Sequence, residues 1–200
     1  MSPFKKKLMK HMVIIGIILV LVGFIKVKGL IAFEKDRETT NNIQILTGQT
    51  DIEGEGISIT VEDKNPYDVY GIVYDKDLIT IVNILQSAGA EVISINDERV
   101  LSTNKIKVDK TRIKINKNQK LNKTKIKIND NEYNSPFLIK AIGNSKKLND
   151  ILNSEPASAE LKEFNYMKKA LEIRIEKKDK LIIPRYKGNI SFKYAKPIKM

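Results

Sequence analysis

Residues 75–95 (DKDLITIVNILQSAGAEVISI), with Ile57-Ser-Ile-Thr-Val61 before them, decide the fold. Asp75 and Asp77 are carboxylates of the kind that open a helix, where the backbone N–H groups are unsatisfied and the dipole favours negative charge. Leu78, Ile79, Ile81, Val82 and Leu85 follow at helical spacing. Gly89 sits where a terminating glycine belongs. Glu91 to Ile95 then alternates as a strand. Ile57–Val61 has the same period of two, so residues 57–95 predict strand, loop, helix, strand.

The pattern continues toward the C-terminus. Residues 105–108 (KIKV), 112–115 (RIKI) and 125–128 (KIKI) alternate Lys or Arg with Ile or Val, which places the two chemistries on opposite faces of three short strands. Pro136 to Ile142 reads as a buried strand ended by Gly143. Ser145–Leu152 reads as a short helix, broken at Pro156, and 157–168 as another. Leu171–Ile175 and Leu181–Ile183 read as strands flanking a turn at Lys177–Lys180. Gly54 and Gly56 read as turn glycines, because Glu53 and Glu55 would repel a phosphate.

Toward the N-terminus the chain changes character. Met12 to Ile25 is an unbroken apolar run of 14 residues, preceded by Lys5, Lys6, Lys7 and Lys10, with no acid before Glu34. A membrane-crossing helix needs about 20 mostly apolar residues. Residues 8–25 approach that length, with Lys10 and Lys26 able to extend their ammonium groups to the interfaces. The lysine cluster predicts a cytoplasmic N-terminus. A cleaved signal peptide has a similar outline, but Val27-Lys28-Gly29 is a poor cleavage site. The expected organisation is a basic cytoplasmic tail (1–7), a single-pass transmembrane anchor (8–25), a linker or short stalk (26–44), an extracytoplasmic α+β domain (45–186) and a basic tail (187–200).

Charge is unevenly spread. Of the formal net charge of +12, residues 1–33 supply +6; residues 51–77 carry −6 and residues 102–128 carry +9. The 200 residues hold no cysteine and one histidine, His11, in the expected anchor. Thiolate and imidazole chemistry is therefore absent from the rest of the chain, and no disulfide forms. No catalytic residue, metal site or cofactor is expected.

Several strings occur in a telling order: Leu46-Thr-Gly48; Glu53-Gly-Glu-Gly-Ile57; Asp75-Lys-Asp-Leu78; Val82-Asn-Ile-Leu85; Ala88 to Asn96 (AGAEVISIN) with Arg99; Ser135-Pro136; Ile139 to Gly143 (IKAIG); and Ile183-Pro184. Together they resemble the bacterial membrane-anchored YlxW/YlxX-like family, domain of unknown function 881, often labelled division initiation proteins. The resemblance covers roughly residues 45–186 and the anchor. It implies a compact extracytoplasmic domain near division or envelope machinery and no established chemistry. The stalk here is shorter, and the Lys/Ile strands more basic, than the family leads one to expect.

Two groups of residues are candidates for binding. Asn96 and Arg99 leave the end of a strand together, and Arg99 suits a carboxylate or phosphate; the plainer reading gives Asn96 a turn and Arg99 a local pairing with Asp97 or Glu98. Lys105, Lys107, Arg112, Lys114, Lys125 and Lys127 would form a cationic sheet face if their strands are neighbours. Outside the cell such a face suits anionic wall polymer or lipid head groups; the plainer reading is a solvated face whose lysines discourage edge pairing. The face has no interleaved aromatics, and nucleic acid is not expected as a partner. The acidic set Asp51, Glu53, Glu55, Glu62 and Asp63 lacks calcium-loop spacing.

The expectation is a single compact α+β domain behind a transmembrane helix, with a mixed or antiparallel sheet covered by helices, ferredoxin-like in style. Its expected role is that of a non-enzymatic scaffold in envelope growth, division or sporulation, with protein partners or self-association. The alternatives are a binding module for anionic polymer or lipid head groups and an enzyme of unknown type.

Overall fold

A computed structural model of the chain describes residues 3–65, 67–101, 106–108, 125–188, 194 and 196. The chain divides into two units, Met1–Leu46 and Thr47–Met200.

The first unit is one helix, α1 (Pro3–Leu46). Pro3 suits a first helical position, where a missing N–H costs nothing. The segment 26–44, read above as a linker or short stalk, is helical throughout. No proline interrupts it, and the Thr39 and Thr40 hydroxyls donate to the carbonyls of Lys35 and Asp36 (2.9 Å each) instead of diverting the chain. Just beyond its end Gly48 adopts φ +70°, the left-handed conformation that glycine tolerates. Among the described residues no helix is long and apolar enough to cross a membrane. Val20, Leu21, Val22, Phe24, Ile25, Val27, Leu30, Ile31 and Phe33 are nonetheless all exposed along α1.

The second unit contains β1 (Ile52–Glu62), a single 3-10 turn (Val69–Gly71), α2 (Asp75–Ser87), β2 (Val92–Ile95), β3 (Glu98–Arg99), β4 (Ile106–Val108), β5 (Ile126–Ile128), β6 (Asn131–Tyr133), β7 (Phe137–Ile142), α3 (Ser145–Leu152), α4 (Ala159–Ala170) and β8 (Glu172–Ile183). The main sheet has the order β3-β2-β7-β1-β8, and β4-β5-β6 form a second sheet. All pairings are antiparallel. β1–α2–β2 steps over β7, and β7–α3–α4–β8 steps over β1. Two split β-α-β units interlock, which is the ferredoxin-like arrangement.

Registration sets the core. Ile57, Ile59 and Val61 of β1 stand opposite Ala141, Ile139 and Phe137 of β7. Ile93 and Ile95 of β2 extend two of those rows, and Ile175 and Ile173 of β8 extend two from the other side. These side chains form one cluster with Leu78, Ile81, Val82 and Leu85 of α2, Leu148 and Leu152 of α3, and Leu161, Phe164 and Met167 of α4. Alternation in the strands and helical spacing in α2 therefore meet in one apolar layer. Asp77 caps α2 by accepting the Tyr74 N–H (2.8 Å), and Asn144 and Ser158 cap α3 and α4 by accepting from Lys147 and Leu161.

Two expectations need correction. The Lys177–Lys180 turn does not exist; β8 is one strand of 12 residues. Its polar middle lies on the sheet edge, where charged side chains stay in water and need no loop. Gly54 and Gly56 are not turn glycines but lie inside β1, where the β1–β8 register shifts between them. A Cβ on Gly56 would overlap the Ala141 carbonyl of β7. Gly56→Ala is therefore expected to cost about 3 kcal/mol or more. Urea unfolding followed by far-UV circular dichroism checks this; Gly16→Ala, with nothing near its Cβ position, is the control and should leave the midpoint unchanged.

Candidate functional site

The hairpin joining β2 to β3 settles the role of Asn96. Asn96 (φ +50°) and Asp97 (φ +64°) both take left-handed conformations, as a two-residue turn between antiparallel strands demands. Asn96 also ties the turn to β7: its N–H donates to the Leu138 carbonyl (2.8 Å), and its Oδ1 accepts the Leu138 N–H (2.7 Å). Its side chain is committed to the fold.

Glu98 and Arg99 follow on opposite faces of a two-residue strand, both buried, at 5% and 3% exposure. Arg99 stands opposite Ser94, and burial lowers its guanidinium pKa. The two acids expected beside it have further partners. Asp97 pairs with Lys140 (2.7 Å). Glu98 accepts from Asn129 Nδ2 (3.0 Å), Asn131 Nδ2 (2.7 Å) and the Tyr133 hydroxyl (2.9 Å). Burial pushes the Glu98 pKa up, but these three bonds together with the Lys187 charge outweigh it, and the net shift is downward. Burial first, and then the same contact, raises the Tyr133 phenol to about 12. Glu98 thus joins the β2–β3 hairpin to the β5–β6 hairpin. Composition and spacing did not single it out, because its partners lie about 30 residues away across the most basic stretch of the chain.

The basic strands are only partly within the described residues. Lys105, Arg112 and Lys114 lie outside them, as does the expected strand 112–115. Lys107 stands opposite Lys127, and Lys127 opposite Glu132. Lys125 and Lys127 are exposed while Ile126 and Ile128 are buried, so the alternation reads as expected. Lys125 also pairs with Glu132 (3.2 Å), which places an acid within that face. The early acidic set is dispersed into structural contacts: Asp51 accepts the Arg185 N–H, Glu53 pairs with Lys180, Glu62 with Arg174, and Asp63 accepts the Val73 N–H.

A cavity of about 440 Å³ opens where the 3-10 turn, α2 and α4 meet. Ile72, Met167 and Leu171 give it an apolar floor, and Tyr70, Tyr74 and Tyr166 supply aromatic walls. Two carboxylates line it. Asp77 has its pKa raised by burial first, partly offset by the Tyr74 N–H it accepts, and raised again by the Glu163 charge. Glu163 is paired with Lys76 (2.5 Å) and accepts from Thr80 (3.4 Å). Both carboxylates already serve the fold, one as a helix cap and the other in an ion pair joining α2 to α4. Aromatic faces beside carboxylates suit a basic side chain or a small amine. Sequence reasoning missed this site because its walls come from three separate elements and its tyrosines follow no motif.

The chain belongs to the bacterial family of proteins of unknown function DUF881, whose model matches residues 39–123 and 105–196. The fold is similar to that in a crystal structure of an uncharacterized conserved protein from Mycobacterium tuberculosis. The TM-score is 0.58 at 22% identity, over 79% of this chain and 98% of that one. No curated protein matches the chain.

The Glu98 contacts generate a pH prediction. A carboxyl whose folded pKa lies below its ordinary value of 4.5 stabilises the fold above that value and loses its contribution as pH falls through the folded value. Glu98→Gln should cost about 2 kcal/mol at pH 7. Its deficit relative to the native chain should shrink at pH 3.5. Urea titrations of both proteins at the two pH values measure this, and an equal deficit at both would remove the charge from the explanation.

Proposed function

We propose that the protein is a membrane-anchored, non-enzymatic interaction protein of the bacterial cell envelope. In this reading residues 8–25 of α1 cross the membrane with the N-terminus in the cytoplasm, and the α+β domain works outside. The observation that carries the reading is α1 itself. It begins with lysines at 5, 6, 7 and 10, and Met12, Val20, Leu21, Val22, Phe24 and Ile25 of that span are exposed. So long an exposed apolar stretch calls for lipid or a partner. Helical residues 34–46 then act as a stalk that lifts the domain off the bilayer. A short cluster of lysines on one side of an apolar run favours retention on the cytoplasmic side.

The non-enzymatic part of the proposal draws on the chemistry of the side chains. The chain beyond His11 has no imidazole and no thiol. The two carboxylates of the tyrosine-lined cavity are held as a cap and as an ion-pair partner. A division, growth or sporulation role belongs to the same proposal and rests on the envelope location proposed here. Anionic wall polymer is a further partner that the exposed Lys125 and Lys127 would suit, with Glu132 limiting the positive charge of that face.

Topology is tested with Glu155→Cys, which places the chain's sole thiol on an exposed turn between α3 and α4. The expected result is labelling of intact cells by a membrane-impermeant maleimide, with no increase after lysis. Labelling only after lysis would put the domain in the cytoplasm and end the envelope reading.

A further inference from the structure

The two edges of the main sheet are unlike each other. β3 closes one edge with two residues. β8 closes the other with 12 residues, contains no proline, and among the described residues pairs as a strand with β1 alone. A long edge of unpaired N–H and C=O groups is a template for another strand, and proteins usually blunt such an edge. Here the side chains of Glu172, Arg174, Glu176 and Lys178 share one exposed face. The ion pairs Arg174–Glu172 (3.9 Å) and Lys178–Glu176 (2.6 Å), each between residues two apart, show that they do. Ile173 and Ile175, on the other face, pack only partly against the core.

We propose that β8 pairs antiparallel with β8 of a second copy about a two-fold axis through Ile175, joining two five-stranded sheets into one. The sequence of the edge specifies this register. With Ile175 opposite its own copy, Glu172 faces Lys178 and Arg174 faces Glu176, and symmetry repeats both pairs. Every charged pair on that face is of opposite sign, the arrangement that stabilises cross-strand neighbours. Sliding the strands by two residues one way sets Glu172 against Glu176 and Arg174 against itself. Sliding two the other way sets Arg174 against Lys178 and Glu176 against itself. A slip by one residue would move the isoleucines onto the charged face. Attraction in one register and repulsion in its neighbours gives pairing that is both specific and self-limiting, since a two-fold interface closes on a dimer. The isoleucines gain cover at the axis, and the ion pairs within each strand exchange partners without loss of charge compensation. The inference rests on the strand edge and is independent of the membrane reading.

Cysteine cross-linking tests it on the full chain, which has no native thiol. Arg174→Cys and Glu176→Cys chains are co-expressed and oxidised. In the proposed register residues 174 and 176 are directly opposite, with Cβ atoms about 5 Å apart, whereas 174–174 and 176–176 are diagonal at about 7–8 Å. Disulfides need the shorter separation. The mixed disulfide should therefore exceed either like-with-like product by about ten-fold, and Glu172→Cys with Lys178→Cys should behave the same way. Association through α1 alone cannot impose that pattern. In otherwise native chains Arg174→Glu should weaken dimerisation about ten-fold, read by analytical ultracentrifugation in detergent, and Arg174→Glu with Glu176→Arg should restore it. Circular dichroism confirms that each variant is folded. Absent cross-links, like-with-like products in equal yield, or dimerisation indifferent to Arg174→Glu would each overturn the proposal.

Discussion

The apolar rows on one face of the main sheet are the constraint on which the other elements depend. Ile57, Ile59 and Val61 are fully buried opposite Ala141, Ile139 and Phe137. Burying one such side chain contributes about 1.5–3 kcal/mol relative to leaving it in water, so a slip of one residue in β1 or β7 would forfeit several of these gains at once. That penalty fixes the register. The fixed register in turn requires glycine at 56, where the β7 backbone approaches, and sets where α2, α3 and α4 must lie to complete the layer. The helices need little besides their caps and apolar stripes, because the sheet supplies the surface they cover.

Much of this was legible in the sequence, for identifiable reasons. Residues 57–61, 75–87 and 91–95 each show a clean period, bounded by Asp75 and Gly89, and the structure places β1, α2 and β2 there. Ser145–Leu152 is a helix of the bounds expected. The errors arose where local pattern gave way to tertiary setting. Lys177 to Lys180 look like a turn because they are uniformly polar, yet an edge strand tolerates polar side chains that an interior strand would not. The stretch 26–44, read as a linker or short stalk, is helical throughout. Gly54 and Gly56 resemble turn glycines, and their role is fixed by the approach of β7, which no local window contains.

The candidate sites divide in a similar way. Asn96 was legible as a turn residue, since its side chain suits left-handed backbone and the Asn-Asp pair sits between two strands. Arg99 was visible as a charge but not as a buried one. Glu98 reads only as a local partner for Arg99, whereas its carboxylate collects three hydrogen bonds and links two hairpins. The tyrosine-lined cavity was invisible, because Tyr70, Tyr74 and Tyr166 come together only when α4 lies beside α2. Long-range contacts of this kind carry most of the chemistry of the domain and leave no trace in spacing.

The proposed membrane attachment lies on the one long helix, and the core lies in the second unit, divided from it between Leu46 and Thr47. Removal of residues 1–33 tests that division of labour most directly. Cells expressing the native and shortened chains are fractionated, and the shortened chain is purified for thermal unfolding by circular dichroism. The native chain is expected to stay with the membranes after alkaline carbonate washing. The shortened chain is expected to be soluble without detergent and to unfold in one cooperative transition. A native chain that the wash releases, or a shortened chain that is soluble but lacks a cooperative transition, would contradict that division of labour.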